Sequence, residues 1–193
     1  MVTVRSVSPD SPAARAGLRP GDRVLKVDVH DIRDEIDFRF WASEETFWLA
    51  IERGGKRLRA RVERAPGEEL GVELEPLRPR RCRNRCIFCF VDQLPKGLRR
   101  SLYIKDEDYR LSFLCGNYMT LTDLSERDFG RILSQRLSPL YVSVHSTDPE
   151  LRAFMLGRGG YPMSGNSWTV SCGVVSRCTP RWCSVPGSTM API

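Results

Sequence analysis

Three cysteines packed into eight residues, Cys82-Arg83-Asn84-Arg85-Cys86-Ile87-Phe88-Cys89, constrain this chain more than any other feature. The spacing is C-x3-C-x2-C, with an aromatic residue directly before the third Cys. Three thiolates on one short loop can hold three corners of a cubic iron-sulfur cluster, and the absence of a fourth leaves one iron open to bind something reactive. Zinc sites more often pair two C-x2-C knuckles, and no second knuckle or suitable histidine lies nearby, since His30 and His145 are the only two. Zinc and inert buried cysteines are therefore the lesser alternatives. Met1 to Arg5 lacks the basic start and apolar core of a secretory signal, so a cytoplasmic address is expected and disulfides are not. The longest apolar runs, such as Phe47 to Ile51, fall far short of the roughly 18 to 20 residues of a membrane helix, so no membrane partner is expected.

Charge divides the chain into three stretches. Residues 1–76 hold 13 basic and 15 acidic side chains, residues 77–156 hold 14 and 9, and residues 157–193 hold 3 and none. The middle stretch carries Arg78, Arg80, Arg81, Arg83 and Arg85 in near succession. Because 26 of the 30 basic residues are Arg, GC-rich coding explains that run as well as selection for a polyanion, and nucleic acid is not an expected partner.

Residues 1–76 read as a small β-rich domain with two helices. Val2 to Val7 has a strand pattern, Ser11-Pro12 is a capped helix start, and Gly17 can end that helix in the left-handed conformation. Pro20-Gly21-Asp22 turns into a strand over 23–27. A helix is predicted over 34–45, followed by strands over 47–52 and 57–63 that turn at Gly54-Gly55. With Ser11-Pro12-Ala13-Ala14, Gly17-Leu18 and Gly21-Asp22 in this order, the stretch resembles a bacterial PDZ domain. The resemblance implies binding of a peptide or protein as an added strand beside a helix, although a docking or packing module is the other reading. The glycine loop that receives a peptide carboxylate normally precedes the first strand. Here Leu70-Gly71-Val72-Glu73-Leu74 could supply it from the other end, yet the same segment is also wanted as the first barrel strand.

Residues 77–156 alternate strand and helix patterns: a strand over 109–115 ending at Gly116, a capped helix start at Asp123-Leu124-Ser125-Glu126, a strand over 140–146, and a helix from Asp148-Pro149 to about Met155. The cysteine motif is the hallmark of radical S-adenosylmethionine (SAM) enzymes. The runs Phe88 to Arg99, Asp106 to Phe113, Gly116 to Thr122 and Leu137 to His145 extend the resemblance to one family: PDZ-bearing radical SAM iron-sulfur proteins with a C-terminal domain of unknown function, relatives of nitrogenase-cofactor and molybdenum-cofactor enzymes. The resemblance implies a 4Fe-4S cluster on Cys82, Cys86 and Cys89, and SAM as the second cofactor. It also implies reductive cleavage of SAM, with electrons from a donor such as ferredoxin or flavodoxin. Phe88 would lie against the adenine, and Gly116 and Asn117 would border the SAM amino group. A plain structural turn accounts for that pair equally well. Ser143 and His145, at the C-terminal end of a strand, stand where (β/α) barrels put their chemistry, although a lone histidine there is more often structural. No general acid, base or nucleophile is assigned, so the catalytic residues are unknown.

From Gly157 to Ile193 there is no Asp, Glu or Lys, and no helix or strand period. This change is what out-of-frame translation of GC-rich DNA produces, and the expectation is a frameshift or truncation near residues 157–160 with a disordered tail. The rival reading, a second metal site at Cys172, Cys178 and Cys183, has irregular spacing against it. The expected architecture is α/β: a PDZ-like domain over 1–76, a partial radical SAM barrel over 77–156, and an aberrant tail over 157–193. The expected function is a radical SAM iron-sulfur protein of unknown substrate, inactive as truncated. The alternative is a PDZ-like peptide-binding module without catalysis.

Overall fold

The computed structural model describes residues 1–158, so the expected tail from residue 159 on, with its Cys172, Cys178 and Cys183, lies outside the described residues. The chain divides into two compact units, Met1–Arg78 and Pro79 onward.

In the first unit, β1 (Val2–Val7), β2 (Arg23–Val27), β4 (Thr46–Arg53), β5 (Lys56–Glu63) and β6 (Val72–Leu74) form an antiparallel sheet in the order β5-β4-β2-β1-β6. The short β3 (His30–Asp31) pairs with β2. Two helices complete the unit, α1 (Pro12–Arg15) and α2 (Glu35–Trp41). Alternation in β4 sends Phe47, Leu49 and Ile51 inward, where they meet Val4, Val24, Val27, Phe38 and Val62. The Ser11 hydroxyl accepts from Ala14 N at 3.2 Å and Pro12 opens α1, as the local sequence predicts. Helix α2 is shorter than its pattern, ending at Trp41 with Ala42 as its cap.

The second unit contains a 3-10 turn (Arg100–Tyr103), α3 (Tyr109–Cys115), β7 (Tyr118–Met119), α4 (Glu126–Ser134), β8 (Tyr141–Val142) and α5 (Pro149–Leu156). Strands β7 and β8 are parallel, with Tyr118 opposite Tyr141 and Met119 opposite Val142, so β7-α4-β8 is one crossover unit. Its buried apolar residues include Tyr109, Met119, Ile132, Leu137, Leu140, Val142, Met155 and Leu156.

Two expectations are corrected and one open choice is decided. The segment 109–115 is a helix, because Asp108 caps its start by accepting from Arg110 N and Gly116 closes it at φ +76°, two end signals that outweigh its strand-like composition. The strand expected over 140–146 is confined to Tyr141–Val142. The contested segment around Gly71 belongs to the first unit: β6 pairs antiparallel with β1, with Val4 opposite Leu74 and Val7 opposite Val72. Among the described residues the second unit pairs only two strands, so its architecture is a small α/β unit and a barrel is not shown.

Candidate functional site

The cysteine loop is held from three sides. Cys82 N donates to Lys105 O at 2.9 Å, and Cys89 N donates to Cys86 O at 3.1 Å. Between the first two cysteines, Asn84 is 2% exposed. Its amide donates to Thr120 Oγ1 at 3.0 Å and Thr122 Oγ1 at 2.9 Å, and accepts from Thr122 Oγ1 at 3.1 Å. On the third side the last turn of α5 presents carbonyls that a helix end leaves unpaired, and the loop uses them: Arg85 N donates to Leu156 O and Ile87 N to Met155 O, each at 3.0 Å.

The three thiols are half-buried and free. Burial pushes the Cys82 thiol up. Cys86 is pushed up to about 11, first by burial and then by the charges of Cys82 and Cys89, so the three sulfurs sense one another. Among the described residues no group of three or more His, Cys, Asp or Glu side chains is arranged so as to hold a metal ion. The donor set, three soft thiolates on one loop, nevertheless fits an iron-sulfur cluster in kind.

Phe88 packs its ring against His145, centroids 4.6 Å apart and planes tilted by 36°. His145 has φ +64°, and its Nδ1 is buried with no hydrogen-bond partner. Burial lowers its pKa, and the nearby Arg152 charge lowers it further, so the imidazole is neutral at pH 7. A cysteine loop, its aromatic ring and an unsatisfied buried nitrogen thus share one neighbourhood.

The other expected residues have different contacts. Gly116 ends α3, Asn117 Nδ2 donates to Asp106 Oδ2 at 2.9 Å, and Ser143 N donates to Met119 O at 2.8 Å. Sequence reasoning missed Asn84, Lys105, Glu107, Arg152 and Gly157. Glu107 is 6% exposed, its pKa raised by burial, and its carboxylate accepts from Thr120 N at 2.6 Å. Arg152 is 5% exposed and donates to Val144 O at 3.2 Å and Thr120 O at 2.5 Å. No periodicity signals such residues; only the position of Asn84 inside the C-x3-C interval was available.

The first unit carries a groove of about 580 Å³ between the outer strand β6 and α2, lined by Phe38, Ala42, Ser43, Leu70, Gly71 and Val72, among others. Gly71 has φ +72°, and a Cβ there would stand 2.3 Å from Ser11 Cβ, so the strand approaches α1 as only glycine allows.

A family model described as a PDZ domain matches residues 3–53. Among solved structures, the PDZ domain of the SdrC-like protein from Listeria innocua is similar at 23% identity, covering 40% of this chain and 96% of that one, with a TM-score of 0.35. The PDZ domain of the SdrC-like protein from Listeria monocytogenes is similar at 27% identity, covering 38% of this chain and 85% of that one, with a TM-score of 0.32. No curated protein matches. No helix of the described residues is long and apolar enough to cross a membrane. A second family model, described as a Radical SAM-like domain, matches residues 64–164, more than half of the 193 residues and the whole cysteine loop. The chain belongs to the Radical SAM-like domain family and carries a PDZ domain ahead of that match.

Proposed function

We propose that the second unit is a radical SAM iron-sulfur module in which Cys82, Cys86 and Cys89 would hold three irons of a 4Fe-4S cluster. When bound, that group supplies one-electron reductive cleavage of SAM, releasing methionine and a 5'-deoxyadenosyl radical. The observation that carries the reading is the C-x3-C-x2-C loop itself, three free, half-buried cysteines lying inside the residues matched by the Radical SAM-like family model. The chain's own residues support this loop in distinct ways. Asn84 and the α5 carbonyls fix its backbone, and Phe88 offers a flat ring against which a purine can lie. His145 packs a neutral ring with a buried, unsatisfied nitrogen against that ring. Gly116, Asn117 and Ser143 would border SAM from the α3–β7 turn and the end of β8. An external low-potential one-electron donor of the ferredoxin or flavodoxin type is part of this reading, as is a cytoplasmic address.

The test is anaerobic reconstitution of the 193-residue chain with iron and sulfide, quantification of both, and electron paramagnetic resonance after dithionite reduction. About four irons per chain that fall away in Cys86→Ala supports the reading, with 5'-deoxyadenosine formed from SAM as its second step. Equal iron in the parent and Cys86→Ala defeats it.

The β6–α2 groove favours a second reading, in which the PDZ domain binds an extended peptide as an added strand and the chain performs no catalysis. Saturable binding of a C-terminal peptide library that is lost on Ser43→Trp, at an exposed position lining the groove, without iron loading, would support this reading instead.

A further inference from the structure

Lys105 makes contacts to the cysteine loop that neither the motif nor the C-x3-C-x2-C spacing predicts. Its backbone carbonyl receives Cys82 N at 2.9 Å. Its side chain, 21% exposed, turns back across the loop, where Nζ donates to Asn84 O at 3.3 Å and to Asp92 Oδ2 at 2.6 Å. The charge of that ammonium favours the thiolate at both Cys82 and Cys86. One residue thus ties 82, 84 and 92 together, with its ammonium held against the backbone of the loop that carries the three sulfurs. The two arginines inside the loop are placed differently, with Arg83 76% exposed and 3.9 Å from Asp123.

Resting on the cluster reading above, we infer that Lys105 is a positioning residue that sets the charge balance of the cysteine loop and thereby the reduction potential of a cluster held there. Three thiolates carry three negative charges, and reduction by dithionite adds one electron to the same small volume. A fixed ammonium favours the reduced state, because iron-sulfur potentials follow net charge and hydrogen bonds to sulfur. Asp92 opposes it, since its carboxylate offsets part of the Lys105 charge. Removing the ammonium and removing the carboxylate should therefore move the potential in opposite directions, which loss of packing alone would not do.

The experiment reconstitutes the full chain, Lys105→Met, Lys105→Arg and Asp92→Asn, measures iron and sulfide, and then titrates each with dithionite in the presence of mediators. The expected result is normal iron in Lys105→Met with its reduced-to-oxidised ratio at a fixed potential about tenfold lower, equivalent to about 59 mV for one electron. Asp92→Asn should shift the ratio the other way, and Lys105→Arg should stay within about threefold of the parent. If Lys105→Met loses iron, restoration of iron by Lys105→Arg supports the charge role and failure to restore it overturns the inference. Normal iron with an unchanged potential in Lys105→Met also overturns it while leaving the cluster reading intact. Absence of iron from the parent chain removes both.

Discussion

Gly157 lies against the Arg85 carbonyl so closely that a Cβ on it would stand 2.2 Å from that oxygen. The left-handed residue that ends α5, at φ +61°, is therefore also the surface on which the middle of the cysteine loop rests. Leu156 O and Met155 O receive the loop's amides one residue earlier and two.

Gly157→Ala is expected to destabilise the second unit by about 2 kcal/mol or more, from the positive φ and from displacement of Arg85. Gly97→Ala, at φ +91° with open space around it, carries the φ penalty without the contact. Denaturant unfolding of both, with alkylation rates at Cys82, Cys86 and Cys89, separates the effects. Only Gly157→Ala should speed alkylation. Equal rates in the two variants would show that α5 does not hold the loop.

Asn84→Ala should cost about 2 kcal/mol, because it removes the amide shared by the Thr120 and Thr122 hydroxyls and leaves them with each other at 2.9 Å. Hydrogen exchange at Arg85 and Ile87 should accelerate in proportion. An unchanged exchange rate would mean the α5 carbonyls alone secure the loop.

The first unit was legible in the sequence because its signals are local. Ser11-Pro12 caps α1, Gly54-Gly55 turns β4 into β5, and alternation marks Phe47, Leu49 and Ile51. The second unit was harder because short strands have little pattern: β7 and β8 are two residues each, and the caps of α3 override its apolar run. The cysteine loop was legible as chemistry, since thiolate spacing states a ligand set directly. Its supports were not, because Asn84, Lys105 and Gly157 meet it through contacts between residues far apart in sequence.

The Gly21-Asp22 turn makes a separate prediction. Asp22 is 1% exposed and accepts from Arg19 N at 2.8 Å, while Arg53 grips both its oxygens at 2.6 Å. Burial alone would raise the Asp22 carboxyl, but Arg53 and the Arg19 amide hold it below the usual carboxylate range. Arg53→Met should destabilise the first unit, because it leaves the buried Asp22 carboxylate without its partner, though by less than for a fully buried pair because Arg53 is 31% exposed. Arg53→Met combined with Asp22→Asn should recover part of the loss. Amide exchange in β1 and β2 would measure both, and a double variant no better than the single would refute the uncompensated-charge explanation.

Asp128 ties the start of α4 to Arg80 and gives stability a defined pH dependence. Burial pushes its carboxyl up, but the paired hydrogen bonds from Arg80 at 2.8 and 2.9 Å, with the Ser125 hydroxyl, bring it down to about 2 from 3.8. A carboxyl lowered in the folded state stabilises it fully above the unfolded value, and that stabilisation is lost as pH falls through the folded value. The window is therefore between about pH 4 and pH 2. Asp128→Asn should be less stable than the parent by about 2 kcal/mol at pH 7, with the gap closing towards pH 2. Other carboxyls titrate in the same range, but they are common to both proteins and cancel in the difference. Urea unfolding of the pair at pH 7, 4, 3 and 2 provides the comparison. A gap that stays constant across that range would mean Asp128 acts through the geometry of its capping box rather than through its charge.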